Sequence, residues 1–389
     1  MNRFIENFVK ICIPASLITI LLLVLMIEVW VRFSWNPRKG TPGLVISSPS
    51  RIEQIAPNYV GWFGGVVLRT NNLGFRDSRD YPLEKNHRVF RILILGDSVT
   101  FGHGSIYEHT YPYRLESKLK SWKPNVDWQV WNLGVPGYNT AQELAYLNEV
   151  GPSYQPDLVV VGFYQNDVIA NGIVTRVTPV KAFVSRVKSF LKAHFYSYDF
   201  YKRAYLQFYW KMLGSDYHRR FFGALAREES LLARVDRVQD LEEQKISPVE
   251  PLKVRHLMRT QCRAQIDPQI IERIRHDTAW HNAVKSFQQL HKKGTYRIIF
   301  FINIAPDVCT EDDLFYHGET KLLNDYFIEV LSNGTPVVSS YDSFYQYRPS
   351  QMPMAGEHSL GNSNLVKAET LFQYLKDQVF PLIPRFTSN

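Results

Sequence analysis

The chain has 389 residues, 45% of them hydrophobic, and carries 45 basic against 37 acidic side chains for a net charge of +8. That length exceeds one minimal domain and suits a single α/β core with a large insertion. The basic residues are spread along the chain without a long run of Lys and Arg, so no stripe for tracking nucleic-acid phosphates is expected; the excess fits a solvated surface or a mild attraction to anionic lipid.

From Ile11 to Ile27 the sequence ICIPASLITILLLVLMI carries no charge, and extension to Phe33 reaches the roughly 20 residues that span hydrocarbon. A cleaved leader would need small residues just after this run, where Glu28, Val29, Trp30, Val31 and Arg32 stand instead. An uncleaved signal anchor over residues 1–35 is therefore expected, held by the lipid bilayer through residues 11–33, with Trp30 and Arg32 suited to the interface. Arg3 and Lys10 precede the span while Arg32, Arg38, Lys39 and Arg51 follow it. Charge counting alone would leave the body in the cytoplasm; analogy with single N-terminal anchors that export a large catalytic body favours an extracytoplasmic one.

Residues 36–87 form a loop-rich stem and lead-in, with turn signals at Asn36-Pro37, Pro42-Gly43 and Asn72-Leu73-Gly74. Short apolar runs follow at Val89 to Leu95, Val130 to Leu133, Leu158 to Phe163, Arg297 to Ile304 and Pro336 to Ser339, and read as buried parallel strands. Helical spacing of Leu115 and Leu119 in Tyr111 to Trp122, and of Leu144 and Leu147 in Thr140 to Val150, supplies the crossovers. The expected fold over 88–389 is α/β, a flavodoxin-like doubly wound parallel sheet of about five strands with its site at the strands' carboxyl ends. A mainly helical insertion at about 169–274, rich in aromatic and charged residues between Phe183 and Leu213, reads as a membrane-facing amphipathic helix, a substrate lid, or helices packed on the core.

The three cysteines are Cys12, Cys262 and Cys309, too few for a disulfide framework or a spaced metal cluster. Cys12 lies in the apolar run, which leaves Cys262 and Cys309 as the one possible pair; the expected state is two buried free thiols.

The chemistry gathers on Arg91 to Gly102, RILILGDSVTFG, an apolar strand ending in a tight turn that opens a helical region. A serine there presents its hydroxyl at the strand's carboxyl end, with backbone N–H groups close by. Two later blocks follow predicted strands: Asn132 to Asn139, NLGVPGYN, and Gly162 to Asp167, GFYQND. A fourth, Gly356 to Asn362, GEHSLGN, precedes a helical run from Leu365 to Leu375. In these four blocks the chain resembles the SGNH, or GDSL-type, hydrolase superfamily, over roughly residues 88–168 and 296–380.

The resemblance implies a Ser98 nucleophile, His358 as general base, and an oxyanion hole from the Ser98 and Gly137 N–H groups and the Asn166 amide. The family places an Asp three residues before its histidine, and this chain has Ala355 there. Glu357, Asp342 or a backbone carbonyl then remains to orient the ring, or the site runs as a Ser-His dyad. The implied activity is hydrolysis of a carboxylic ester on a small molecule or glycan, without metal or organic cofactor and with no nucleic-acid partner. O-acyl transfer to a cell-surface glycan is the alternative that shares the acyl-enzyme, and an inactive membrane-bound module of the same fold is the third.

Overall fold

The computed structural model describes residues 8–36, 38, 40–48, 50–168, 179–198, 200–202, 204, 205, 208, 269–309, 313–355 and 358–387. One π-helical turn, Phe8–Cys12, leads into helix α1, Ile13–Ser34, with Pro14 in its first turn where a missing N–H costs nothing. Together they form a 27-residue apolar helix, Phe8–Ser34, whose most apolar 18-residue stretch has a mean hydropathy of 2.5, long enough to cross a bilayer. Within α1 only Glu28 and Val31 are buried.

The lead-in carries more structure than its turn residues suggested. Strands β1, Val45–Ser48, and β2, Ile52–Ile55, form one antiparallel hairpin; β3, Val60–Phe63, and β4, Val66–Arg69, form another. Between the latter two stands Gly64-Gly65, with φ of +60° and +87°, the pair of positive φ angles that a two-residue hairpin turn of the tightest type demands.

The body alternates strand and helix. β5, Val89–Gly96, gives way to the short helix α2, Ser98–Phe101, and to α3, Tyr111–Trp122. Then come β6, Asp127–Gly134, α4, Thr140–Tyr154, and β7, Leu158–Phe163, which ends in a 3-10 turn, Gln165–Val168. Part of the expected insertion follows as α5, Pro179–His194; residues 169–178 and 209–268 lie outside the described residues. The chain resumes with α6, Ile270–Arg275, α7, Thr278–Lys292, and β8, Ile298–Ile302. A small hairpin of β9, Asp307–Cys309, and β10, Leu314–Tyr316, precedes α8, Glu319–Leu331, and β11, Val337–Ser339. The chain then forms a two-residue ladder of β12, Met354–Ala355, with β13, His358–Ser359, and the long helix α9, Gly361–Tyr374.

The central sheet has the order β6-β5-β7-β8-β11, every neighbouring pair parallel. In chain order its strands run 2-1-3-4-5, the flavodoxin-like arrangement read from the sequence, with its switch point between β5 and β7. Alternation along β5 divides the core. Ile92 and Ile94 pack with Leu115 and Leu119 of α3 and Leu371 of α9, while Leu93 and Leu95 pack with Leu147 of α4, Phe287 of α7 and Phe327 of α8. Both faces are covered, which is why these strands are continuous apolar runs.

Arg91 is the exception in β5, a cation buried at the sheet's entry end. Its guanidinium donates to Gln129 Oε1, Leu83 O and Pro82 O at 3.0–3.1 Å and lies 4.0 Å from the Trp131 ring centroid. A buried charge is tolerable only when so satisfied, and this one fastens the lead-in to the sheet.

At the opposite end three glycines stand in register, Gly96 against Gly134 on one side and Gly162 on the other. A Cβ on Gly96 would lie 2.7 Å from Thr100 Cβ, one on Gly134 2.8 Å from Phe101 Cα, and one on Gly162 2.5 Å from the Tyr111 hydroxyl. The row lets α2 settle directly on the strand ends. Gly134→Ala should therefore overpack this seat at a cost of about 1–3 kcal/mol, seen as a lowered thermal unfolding midpoint; an unchanged midpoint would mean that α2 can lift without loss.

Candidate active site

Ser98 opens α2 immediately beyond β5 and is 8% exposed. Asp97 caps the helix, its carboxylate accepting from Val99 N at 2.8 Å. Gly102, at φ +81°, ends it after one turn and donates its N–H to Ser98 O at 3.0 Å. So short a helix, pinned at both ends, leaves the serine little freedom.

His358 comes from β13, 260 residues further along, and its Nε2 lies 2.9 Å from Ser98 Oγ. Several bonds fix that strand. Ser359 O accepts from Ser105 Oγ at 3.3 Å and from Asn364 Nδ2 at 3.0 Å, and the same amide group donates to Ser105 Oγ at 3.0 Å. The loop after α2 and the start of α9 thus grip the histidine strand between them. Arg76 holds the loop from the other side, its buried guanidinium donating to Phe101 O at 2.8 Å and to the carbonyls of Gly102 and Ser105. Burial pushes the Arg76 pKa down to about 10, still well above neutrality.

The hairpin β3–β4 reaches the same place. Phe63 packs on His103 in a tilted arrangement with ring centroids 4.5 Å apart, and His103 lies 4.4 Å from the His358 ring. Gly64 makes this contact possible, since a Cβ there would come within 2.7 Å of His103 Nε2 and 2.8 Å of Gly104 N. Crowding by protein drives the His103 pKa down to about 3, helped by the neighbouring His358 and Arg76 charges. His103 is therefore neutral at working pH, and a ring so depressed is a poor proton acceptor.

Asn166 sits in the 3-10 turn after β7, where its side chain hydrogen-bonds the Asp97 carboxyl and favours its charged form. Its Oδ1 is buried without a partner among the described residues. Gly137 follows β6 in a turn closed by Val135 N to Gly96 O at 2.9 Å and Tyr138 N to Val135 O at 3.1 Å. Its φ is +83°, and the place a Cβ would occupy is open space, with no atom within 4 Å. Asn166 and Gly137 thus flank the Ser98 turn on the two strands neighbouring β5. Glu357 lies outside the described residues, and Asp342 is exposed on a 3-10 turn.

Beneath the turn lies a buried ionisable group that the motifs did not announce. Asp97, Glu143 and Asp167 are fully enclosed, and burial lifts each carboxyl, with mutual repulsion adding to the rise of Glu143 and Asp167 well above the usual range. Lys367 of α9 joins them; burial lowers its pKa to about 7 while Asp97 opposes the shift. Nothing in the sequence singles out Lys367, and only the packing of α9 against the sheet reveals it. Arg76 and Phe63 were missed for the same reason, although Gly64-Gly65 between two apolar stretches was a readable hairpin signal.

The thiols differ from expectation. Cys12 is free, but Cys309 is disulfide-bonded; Cys262 lies outside the described residues. Sequence spacing holds no information on whether two distant cysteines meet, which is why free thiols were expected.

A cleft of about 580 Å³ opens between β3–β4 and the loop after α2, lined by Arg38, Trp62, Arg69, Ile106, Tyr107 and Glu108 among others.

With this geometry in place, residues 94–220 match the GDSL-like Lipase/Acylhydrolase family. No curated protein matches the chain. Among solved structures, a putative acylhydrolase from Bacteroides fragilis is 13% identical at a TM-score of 0.34, covering 76% of this chain and 90% of its own. A catalytic mutant of an acetylxylan esterase from Geobacillus stearothermophilus is 13% identical at 0.39, covering 75% and 95%. A GDSL-like lipase from Bacteroides thetaiotaomicron is 12% identical at 0.34, covering 76% and 92%. Likenesses this distant add nothing to the family match.

The depressed His103 pKa has a measurable sign. The unfolded ring takes up a proton below about pH 6.5 and the folded ring only near 3, so His103 favours folding above that window and loses stability as pH falls through it. Wild type minus His103→Gln should change in unfolding free energy by up to about 1.4 kcal/mol per pH unit between roughly pH 6 and 4. Parallel pH profiles for the two proteins would show that the folded ring titrates normally.

Proposed function

We propose that this chain, whose residues 94–220 match the GDSL-like lipase/acylhydrolase family, is a membrane-anchored serine esterase of that family acting through a Ser98 acyl-enzyme. The observation that carries the proposal is the 2.9 Å contact of His358 Nε2 with Ser98 Oγ at the carboxyl end of the central strand.

In the proposed reaction His358 Nε2 accepts the Ser98 proton as Oγ attacks the ester carbonyl, forming a tetrahedral oxyanion. The Ser98 and Gly137 N–H groups and the Asn166 amide are the proposed donors to that oxyanion. Collapse expels the alcohol with the proton that His358 returns and leaves Ser98 acylated. Water, deprotonated by the same ring, then releases the acid and restores the serine. A neutral His103 against His358 supports this assignment, because it adds no positive charge that would oppose protonation of the base.

The substrate class proposed is a carboxylic ester with a small acyl group. The cleft of Arg38, Trp62, Arg69 and Tyr107, whose lining includes neither Ser98 nor His358, is proposed as the place for a polar, ring-bearing alcohol portion such as a sugar. The helix Phe8–Ser34 is proposed to hold the enzyme in the membrane, and the disulfide at Cys309 supports an oxidising, extracytoplasmic location for the body.

In detergent-solubilised full-length protein, Ser98→Ala should abolish hydrolysis of p-nitrophenyl acetate while leaving the thermal midpoint intact. Asn166→Ala should lower kcat by about 10²–10³ with a smaller change in KM. Undiminished turnover by a folded Ser98→Ala protein would remove that serine from the chemistry, and a loss confined to KM would make Asn166 a binding residue instead.

A further inference from the structure

Helix α5 is built the wrong way round for a helix packed on a soluble core. Among its described side chains the buried one is Ser189, and Ala193 O lies 3.5 Å from where a Cβ of Gly43 would be, so the described contacts with the body run through small groups. Its large apolar residues, Phe183, Val184, Val187, Phe190 and Leu191, recur at one-helix-face spacing and point outward, with Phe183 67% and Phe190 56% exposed. Arg186 and Lys188 stand exposed beside this stripe, and Lys192 is part-exposed. The apolar surface continues past the helix in Phe200, Tyr205 and Phe208.

The carboxyl end of α5 is tied to α1. Arg32 donates to His194 O at 2.9 Å, and Glu28 accepts from Tyr196 N at 3.2 Å, Ser197 N at 2.9 Å and Ser197 Oγ at 2.6 Å. Trp30 meets Phe200 edge-on with ring centroids 5.9 Å apart. Glu28 is the sole carboxylate in the apolar helix Phe8–Ser34, and these bonds explain its presence. It stands six residues before the end of α1, which at 1.5 Å per residue is about 9 Å. That fixes the end of α5 at the depth where interfacial helices bury their apolar faces, about 5–10 Å into the headgroup and acyl boundary.

We propose that α5 is a second, in-plane membrane contact, its Phe183–Leu191 face lying in the interface of the bilayer that α1 crosses and its Arg186, Lys188 and Lys192 meeting anionic headgroups. The inference rests on α1 as a span. Two attachments, one perpendicular and one in the plane, set the body's orientation on the membrane, which a lone flexible anchor would not. Continuity with α1 and the basic flanks select lipid over a second protein copy as the occupant.

The test uses full-length protein with the free Cys12 replaced by Ser, and a single nitrobenzoxadiazole label at Val187→Cys, Phe190→Cys, Leu21→Cys or Ser117→Cys. It is reconstituted in vesicles of phosphatidylcholine and phosphatidylglycerol, with or without doxyl-labelled lipid. Labels at 187 and 190 should emit at shorter wavelength than the label at 117 and lose most of their emission to doxyl lipid, as should 21 in the span. Quenching at 21 but water-like emission at 187 and 190 overturns the interfacial helix and leaves the anchor standing. No quenching at 21 overturns the anchor itself and this inference with it. Shielded labels at 187 and 190 that ignore doxyl lipid but show energy transfer between differently labelled protomers would assign the face to a second copy.

Discussion

The seat of α2 on the strand ends is the constraint on which the site depends. Ser98 can project from the end of β5 only because Gly96, Gly134 and Gly162 clear one row of side chains across three neighbouring strands. Lowering α2 onto that row buries Asp97 beneath the turn, with the loops after β6 and β7 leaving the sheet from strands that end in register with β5. Everything else that meets Ser98 is hung from this platform. Arg76 draws the following loop down by its carbonyls, Ser105 and Asn364 hold β13, and β13 delivers His358.

The electrostatics follow from the same burial. Three carboxyls crowded under a turn cannot all ionise cheaply in a poorly solvated interior, so desolvation lifts all three, and the enclosed Lys367 is drawn down towards neutrality. The His103 ring shares this fate through its contact with Phe63 and Arg76's neighbourhood. Of the two rings beside the turn, His103 is thus held neutral while His358 carries the contact to the hydroxyl. The lead-in is part of this arrangement, since Phe63, Gly64 and Arg76 all belong to it.

The sheet was legible because β5, β7 and β8 are buried on both faces and spell continuous apolar runs. Helix α3 could be read to its ends from Tyr111 to Trp122, because Leu115 and Leu119 mark its inner face. Ser98 and His358 were readable as candidates because their blocks carry family motifs. Lys367, Arg76 and Phe63 were not, since each matters through partners far away in sequence. The bond at Cys309 was misjudged for the same reason, and the short hairpins of the lead-in were hidden by a reading that weighed Asn and Pro turns but passed over Gly64-Gly65. The insertion read equally as a membrane-facing amphipathic helix, a lid or helices packed on the core, and which face of α5 meets the body only the fold reveals.

The central claim, that Ser98 becomes acylated during turnover, is tested most directly by acid-quenching the full-length enzyme while it consumes p-nitrophenyl acetate and mapping acetyl groups by peptide mass spectrometry. The account predicts an acetyl group on the Ser98 peptide in wild type and none in Ser98→Ala. Sustained turnover with that peptide unmodified, or with the acetyl group on another side chain that Ser98→Ala leaves in place, would contradict it.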